Sequence, residues 1–535
     1  MKKYNIINNT LGWLVFLVAT VTYMLTIEPT ASFWDCPEFI SQGYKLEIGH
    51  PPGNPMFILA ARFAANFAGG DVMAVAKCVN AMSAILSAAT ILLLFWTITH
   101  LVKKLVVKRD DEEMSLAQYL VVMGSGLCGA LAYAWSDTFW FSAVEAEVYA
   151  FSSFCTALVF WLILKWENRA SSPSSDRYLI LIAYVFGVSL GVHLLNLLAI
   201  PAIALIFYYR KTKESTAKGS LITLLISFVV IVLILYGLEP GFIEMSGYFE
   251  RFFVNTLHMS YNSGVLIYAL LLLAIFAWTL FELHRDKSET LKKLSVFLSI
   301  VFSGMLMIGD GLLLPFILIV GAAVFLFGFA KRLSPRLYSN IILSMMMIFI
   351  GFSSYALVLI RSSANLPLDE NSPNSPFALT SYLSRDQYGK SPLIYGNTYA
   401  SPVLRGPDGK PVVSEGSHKY TRVVKTEEGQ PNEYVDLGPN EDVKYAPETQ
   451  MLFPRIHSGA HAQDYASLLG EEEVGEPVTA TISVDEAGNT AQTATVNKPT
   501  INDNLTFFFS YQLNYMYWRY FMWNLSLAAL VSPTR

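Results

Sequence analysis

Two carboxylates, Asp35 and Glu38, stand three residues apart in the stretch FWDCPEFISQGYKLEIGHPPGNP, Phe33 to Pro55. On a helical backbone residues at that spacing share a face, so both acids point the same way. Phe33, Trp34 and Phe39 flank them. A carboxylate partly stripped of water by aromatic neighbours has a raised pKa, which suits a group that must take a proton near neutral pH. The competing reading is that Asp35 caps a short interfacial helix, a position at which Asp is favoured. The turn His50-Pro51-Pro52-Gly53 follows at once.

Three more clusters could carry chemistry. In WSDTFWFSAVEAEVYAF, Trp135 to Phe151, Asp137 reads as a solvated loop acid. Glu145 and Glu147 lie at the start of a helix that continues through VYAFSSFCTALVFW, with Tyr149 beside them. Acids at the edge of an apolar bundle are costly unless they face a polar cavity. In GVHLLNLLAIP, His193 and Asn196 occupy a turn where a histidine either satisfies the local backbone or donates to a phosphate. Asp310, Glu239, Glu244, Arg251 and His258 are expected in outer loops.

These residues need a frame, and composition supplies it. Of 535 residues 53% are hydrophobic and 15% charged, with mean hydropathy +0.42. Soluble domains carry about 25% charged residues, so the chain reads as an integral membrane protein. A net charge of −5 gives no reason to expect a nucleic-acid partner. The four cysteines, Cys36, Cys78, Cys128 and Cys155, show neither a disulfide framework nor zinc spacing. The first apolar run, LGWLVFLVATVTYMLTI, has Lys2 and Lys3 before it and no small-residue cleavage site after it, so it reads as a retained span.

Apolar runs of the length a bilayer requires fall near residues 11–27, 72–101, 117–138, 141–164, 178–192, 195–209, 219–238, 264–283, 294–308, 311–330 and 338–360, about 11 spans. Dividing 178–209 by a hairpin at Gly191-Val192-His193 puts the cation-rich connections, from Lys103, Lys104, Lys108 and Arg109 to Lys331, Arg332 and Arg336, on one side. By the positive-inside rule that side is cytoplasmic. The N-terminus is then cytoplasmic, and residues 28–71 form a first extracytoplasmic loop that holds the candidate site. It includes a short membrane-lying helix at PMFILAARFAANFA. Residues 361–504 are polar, with alternating runs such as YTRVVKT and TATISV, and read as a strand-and-loop segment outside the cytoplasm. Residues 505–535 read as an aromatic segment that lies on the membrane or crosses it. The expected fold is a mainly α polytopic bundle, residues 1–360, followed by that β-rich segment.

Span interiors are clean of charge, and polar groups gather at the outer ends. That distribution fits a site at the membrane surface better than a path through the membrane. A lipid-linked head group suits such a site: a polyprenyl-phosphate sugar has its tail in the bilayer and its phosphate at the interface. Asp35 or Glu38 would take the proton of the acceptor hydroxyl. Lys45, His50, Arg62, His193, Asn196 and Arg361 are candidates for the phosphate, and Trp34, Glu145, Glu147 and Tyr149 for the substrate. No metal motif is present, and a divalent ion is not favoured. The alternatives are a transporter or flippase of lipid-linked envelope precursors, which needs facing polar groups at mid-membrane depth, and a non-enzymatic scaffold whose acids point to bulk water.

FWDCPEFI, GHPPGNPMF, FSAVEAEVYAFSS, GVHLLNLLAIP, IRSSANLPLDENSPNSPFALTSYLSRDQYGKSPLIYG and NLTFFFSYQLNYMYWRYFMWN together resemble a bacterial multi-spanning domain-of-unknown-function family. That family is similar to the eukaryotic plexin-type transmembrane protein O-mannosyltransferase and to the GT-C glycosyltransferase superfamily. The resemblance implies a catalytic acid in the first extracytoplasmic loop, at Asp35 with Glu38 second. It also implies a lipid-phosphate sugar donor, mannose among the candidates, and Ser/Thr hydroxyls of exported proteins as acceptors. In a bacterium the protein would lie in the inner membrane with its C-terminal segment periplasmic. Family chains continue for several hundred residues beyond WRYFMWN, so a shortened member is expected.

Overall fold

The computed structural model describes residues 2–107, 114–309, 311–389, 391–427 and 429–524. Lys108, Arg109, Asp310 and the end of the C-terminal segment lie outside the described residues. The chain divides into two compact units. The first is Met1–Ser384 with Thr421–Val435; the second is Arg385–Tyr420 with Asp436–Arg535. The first unit therefore reaches past Ile360, where composition changes, and takes in the NSPNSPFALTSYL stretch.

The first unit is helical. Its leading helices are α1 (Lys2–Leu25), α2 (Cys36–Lys45), α3 (Pro55–Ala65), α4 (Val72–Val106), α5 (Leu116–Ala134), α6 (Asp137–Ala143), α7 (Val148–Arg169), α8 (Asp176–Leu190), α9 (Ile200–Lys211) and α10 (Ala217–Thr256). Among the described residues eight helices are long and apolar enough to cross a membrane. α8 and the helix Glu289–Phe302, with 15 and 14 residues, are shorter than those eight. The segment Leu313–Phe329 is a shorter apolar helix as well. The chain does break at Gly191-Val192-His193, between α8 and the short helix Leu194–Ala199 that leads into α9.

α10 is the main departure from expectation. Glu239 and Glu244 do not lie in a loop. The helix runs on through them for 40 residues, with π-helical turns at Leu233–Leu238 and Phe252–Thr256. Pro240 does not stop it, because the chain enters that proline through a π turn, where the i−4 bond is already given up.

Local sequence sets the ends of these helices. Asp71 caps α4 by accepting from the Met73 amide, and Ser115 and Gln118 form a capping box on α5. Close backbone approach joins α8 to the helix Pro335–Phe352. A Cβ on Gly187 would run into the Ile348 carbonyl, and one on Gly351 into the backbone at Gly187 and Val188. Small residues at such a crossing let spanning helices meet without a cavity.

The second unit holds short strands and its own small core of Ile456, Tyr465, Val474 and Phe507. β1 (Glu476–Val484) pairs antiparallel with β2 (Thr490–Lys498), and TATISV lies on β1 as its alternation predicts. The aromatic run ends in helix over residues 501–523, where the Arg519 guanidinium sits 3.9 Å from the Tyr515 ring centre.

Candidate functional site

Asp35 is the N-cap residue of α2, yet its side chain makes no capping bond. That disposes of the capping reading. The carboxylate is 57% exposed and faces His50, with Oδ2 3.9 Å from Nε2. Trp34, one residue earlier, has φ +60, a conformation uncommon outside glycine, and its ring is 85% exposed. Phe33 is exposed too; exposed aromatic rings are the kind that membrane interfaces favour.

Glu38 sits one turn into α2 and is fully engaged. Its Oε1 accepts from Gln42 Nε2 at 2.7 Å and from the His50 amide at 2.8 Å; its Oε2 lies 2.9 Å from His50 Nδ1. Burial alone would raise its pKa, but the His50 and Gln42 hydrogen bonds together outweigh it and hold the carboxyl below its ordinary value. The same bond to Glu38 raises the His50 pKa against desolvation, with Asp35 and Glu370 adding attraction. The imidazolium is thus favoured, with Nδ1 committed to Glu38 and Nε2 turned toward Asp35. Asp35, Glu38 and His50 together offer three ligand atoms within 4.8 Å of one another, so a divalent ion would find donors there. The chemistry of that set is mixed, because His50 ligates only as the neutral base that Glu38 disfavours.

The loop carrying His50 is clamped from residues far along the chain. Ile48 exchanges backbone bonds with Leu368 and Glu370. Tyr382 Oη donates to the Gly49 carbonyl at 2.7 Å, and Gly53, φ +72, leaves room for that same ring. Gly49 has no space for a side chain: a Cβ would collide with Glu38 Oε1 and Gln42 Nε2. The loop's first residues are tied to α4, whose buried Asn80 donates to the carbonyls of Glu28 and Thr30.

Glu145 and Glu147 are 4% and 6% exposed, between α6 and α7. Burial, then repulsion from Glu145 and Asp35, pushes Glu147 up to about 8, opposed in part by the Val148 amide and then by His50. Glu145 is raised by the same desolvation, and a hydrogen bond from Ser32 moderates it. Its Oε2 is buried without a partner. Asp137 is exposed, as a solvated loop acid should be. His193 lies with its ring 5.6 Å from that of Tyr149, two residues after Glu147, and its Nδ1 accepts from the Leu195 amide. The neighbouring Gly191 carbonyl accepts from Met56 at the start of α3, which joins this corner to the His50 turn. Asn196 is fully buried with both amide atoms unpaired.

The remaining cations are not gathered with Asp35. Arg62 donates to the Tyr44 carbonyl, and Arg361 to the carbonyls of Lys45 and Leu46. They satisfy the last carbonyls of α2, where a helix end favours positive charge. Ten residues of helix, about 15 Å, separate that end from Asp35. Lys45 is exposed there. Residue types alone did not reveal Gln42, Gly49 or Tyr382 as parts of the site. The i, i+4 spacing of Glu38 and Gln42 was a usable signal, whereas nothing local marks Tyr382.

The fold and the site define a polytopic helical membrane protein with acids and a histidine assembled beyond the helix ends. Residues 35–216 match the family described as the protein O-mannosyl-transferase TMEM260 N-terminal domain, and residues 389–509 match DUF8416, a family of unknown function. The chain is 23% identical over 167 residues to the protein O-mannosyl-transferase tmem260 of Dictyostelium discoideum, covering 31% of this chain and 18% of that protein. It is 24% identical over 240 residues to the Mus musculus protein of the same name, covering 44% and 30%. The alignments thus span less than a third of either relative's length. No solved structure matches. The chain is related to this O-mannosyl-transferase family through a stretch that contains Asp35, Glu38, His50, Glu145, Glu147, His193 and Asn196; Arg361 lies outside it.

Proposed function

We propose that the protein is a membrane glycosyltransferase that moves a sugar, mannose being the first candidate, from a polyprenyl-phosphate donor to Ser/Thr hydroxyls of exported proteins at the extracytoplasmic face. The observation that carries this reading is the pairing of an open carboxylate, Asp35, with a histidine held by Glu38, inside the stretch related to O-mannosyl-transferases. Glu38 is spent on His50 and makes a poor base; Asp35 is free to act.

In the reaction the acceptor oxygen attacks the anomeric carbon, and the bond from that carbon to the phosphate oxygen breaks. The hydroxyl proton passes to Asp35, and the electron pair leaves with polyprenyl phosphate. Asp35 also stabilises the oxocarbenium-like centre. His50, charged by virtue of Glu38, neutralises the departing phosphate through Nε2. Glu147, protonated near neutral pH, can donate to a sugar or acceptor oxygen, and Trp34 and Tyr149 offer faces to the substrate. The membrane is a bacterial inner membrane in this reading, with the second unit periplasmic.

The direct test reconstitutes the protein in lipid with radiolabelled polyprenyl-phosphate mannose and an extract of exported proteins. Label released from protein by β-elimination supports the proposal. Label that stays on lipid, or appears on glycan alone, overturns the assigned acceptor.

A further inference from the structure

At the edge of the bundle away from Asp35, no carboxylate among the described residues pairs with Lys165, Arg169 or Arg177. α7 starts beside Glu147, and its 22 residues rise about 33 Å to Arg169. Arg169 and the start of α8 therefore lie across the apolar zone from the acids. There Arg169 Nη1 donates to Tyr178 Oη at 3.0 Å, and the Arg177 guanidinium lies 5.2 Å from the Tyr178 ring centre. Lys165 stands over Trp161 at 4.8 Å, within electrostatic reach of both Tyr178 and Arg169. The carboxylates on the same elements are committed elsewhere. Glu167 is held by Lys104 and His100; Asp176 is held by Arg336 and by Asn340, each at 2.7 Å.

A groove of about 660 Å³ opens from the same place, lined by Arg177, Tyr178, Ile180, Leu181, Tyr184 and Met347. It is cationic at one end and apolar along its length, on a face of α8 where Leu181 and Tyr184 are exposed. A free phosphate would find the cations but no use for the groove. A neutral lipid would fill the groove and leave the cations repelling one another. We propose that Lys165, Arg169, Arg177 and this groove bind an anionic phospholipid, with its phosphate among the three cations and an acyl chain along α8. Basic pockets between spanning helices suit acidic head groups. The inference depends only on membrane insertion and stands apart from the reaction assigned to Asp35.

The test mixes the full chain with equimolar phosphatidylglycerol and phosphatidylcholine and measures the lipid retained after detergent extraction by native mass spectrometry. Phosphatidylglycerol should be retained in preference. Arg169→Gln with Arg177→Gln should cut that retention about thirtyfold, about 2 kcal/mol at roughly 1.4 kcal/mol per decade. Leu181→Trp fills the groove while sparing every cation, and should cut retention even if the double variant fails to fold. Inorganic phosphate at millimolar concentration should displace nothing. The proposal falls if the two lipids are retained equally, if Leu181→Trp retains phosphatidylglycerol as the unaltered chain does, or if inorganic phosphate displaces the lipid.

Discussion

At the scale of single residues, charge state differentiates the acids. Glu38 and His50 stabilise each other only while both are ionised. His50 is raised above its ordinary 6.5 and Glu38 lowered below its ordinary 4.5. The pair's contribution is therefore complete between those values; it is lost as pH rises through the folded His50 pKa and as pH falls through the folded Glu38 pKa. Thermal unfolding of the Glu38→Gln variant against the parent should show its largest deficit near pH 5.5, shrinking on either side. Glu147 behaves oppositely to Glu38. Its folded pKa of about 8 exceeds the ordinary 4.5, so the folded state favours the protonated group. It costs nothing below 4.5 and progressively destabilises as pH rises toward 8. Glu147→Gln should match the parent in thermal midpoint at pH 4 and exceed it at pH 8; equal midpoints at both would mean that Glu147 is not desolvated.

At the scale of elements, the site depends on a loop whose shape is imposed from outside. Gly49→Ala pushes a methyl group against Glu38 and Gln42 and should cost about 1–3 kcal/mol by overpacking, with transfer falling further because His50 loses its holder. Tyr382→Phe strips the Gly49 carbonyl of a buried donor, at a cost of about 1–3 kcal/mol. Denaturant unfolding reads both. The elements that carry chemistry were legible in the sequence: α2 beginning at the two acids, α3 as PMFILAARFAANFA, and the break at Gly191 to His193. The clamps were not, because Tyr382 and Leu368 approach the His50 turn from more than three hundred residues away, and no local period encodes that. The cations misled for a related reason. Lys45, Arg62 and Arg361 look available in sequence, but two of them are drawn to the carbonyls that end α2.

At the scale of the whole molecule, hydropathy located the bundle, and the helices inside its apolar runs differ in length. Runs at 178–192, 294–308 and 311–330 form shorter helices than the eight among the described residues that are long and apolar enough to cross. The polar segment after Ile360 is not all separate from the bundle, since residues Thr421–Val435 pack within the first unit. There Tyr434 donates to the buried Glu250 at 3.0 Å, and Asn255 bonds both the amide and the carbonyl of Tyr434. Tyr434→Phe should lower the unfolding free energy of that unit by about 1 kcal/mol, the net worth of one buried hydrogen bond. An unchanged midpoint would detach this loop from the bundle's stability.

The central claim is that Asp35 takes the acceptor's proton. Transfer of labelled mannose from polyprenyl phosphate to protein should be compared between the parent and Asp35→Asn, reconstituted in the same lipid. The substitution should cut transfer by at least about a hundredfold while leaving unfolding free energy within about 0.5 kcal/mol, because the side chain is exposed and caps nothing. Transfer by Asp35→Asn at the parent's rate would contradict the account.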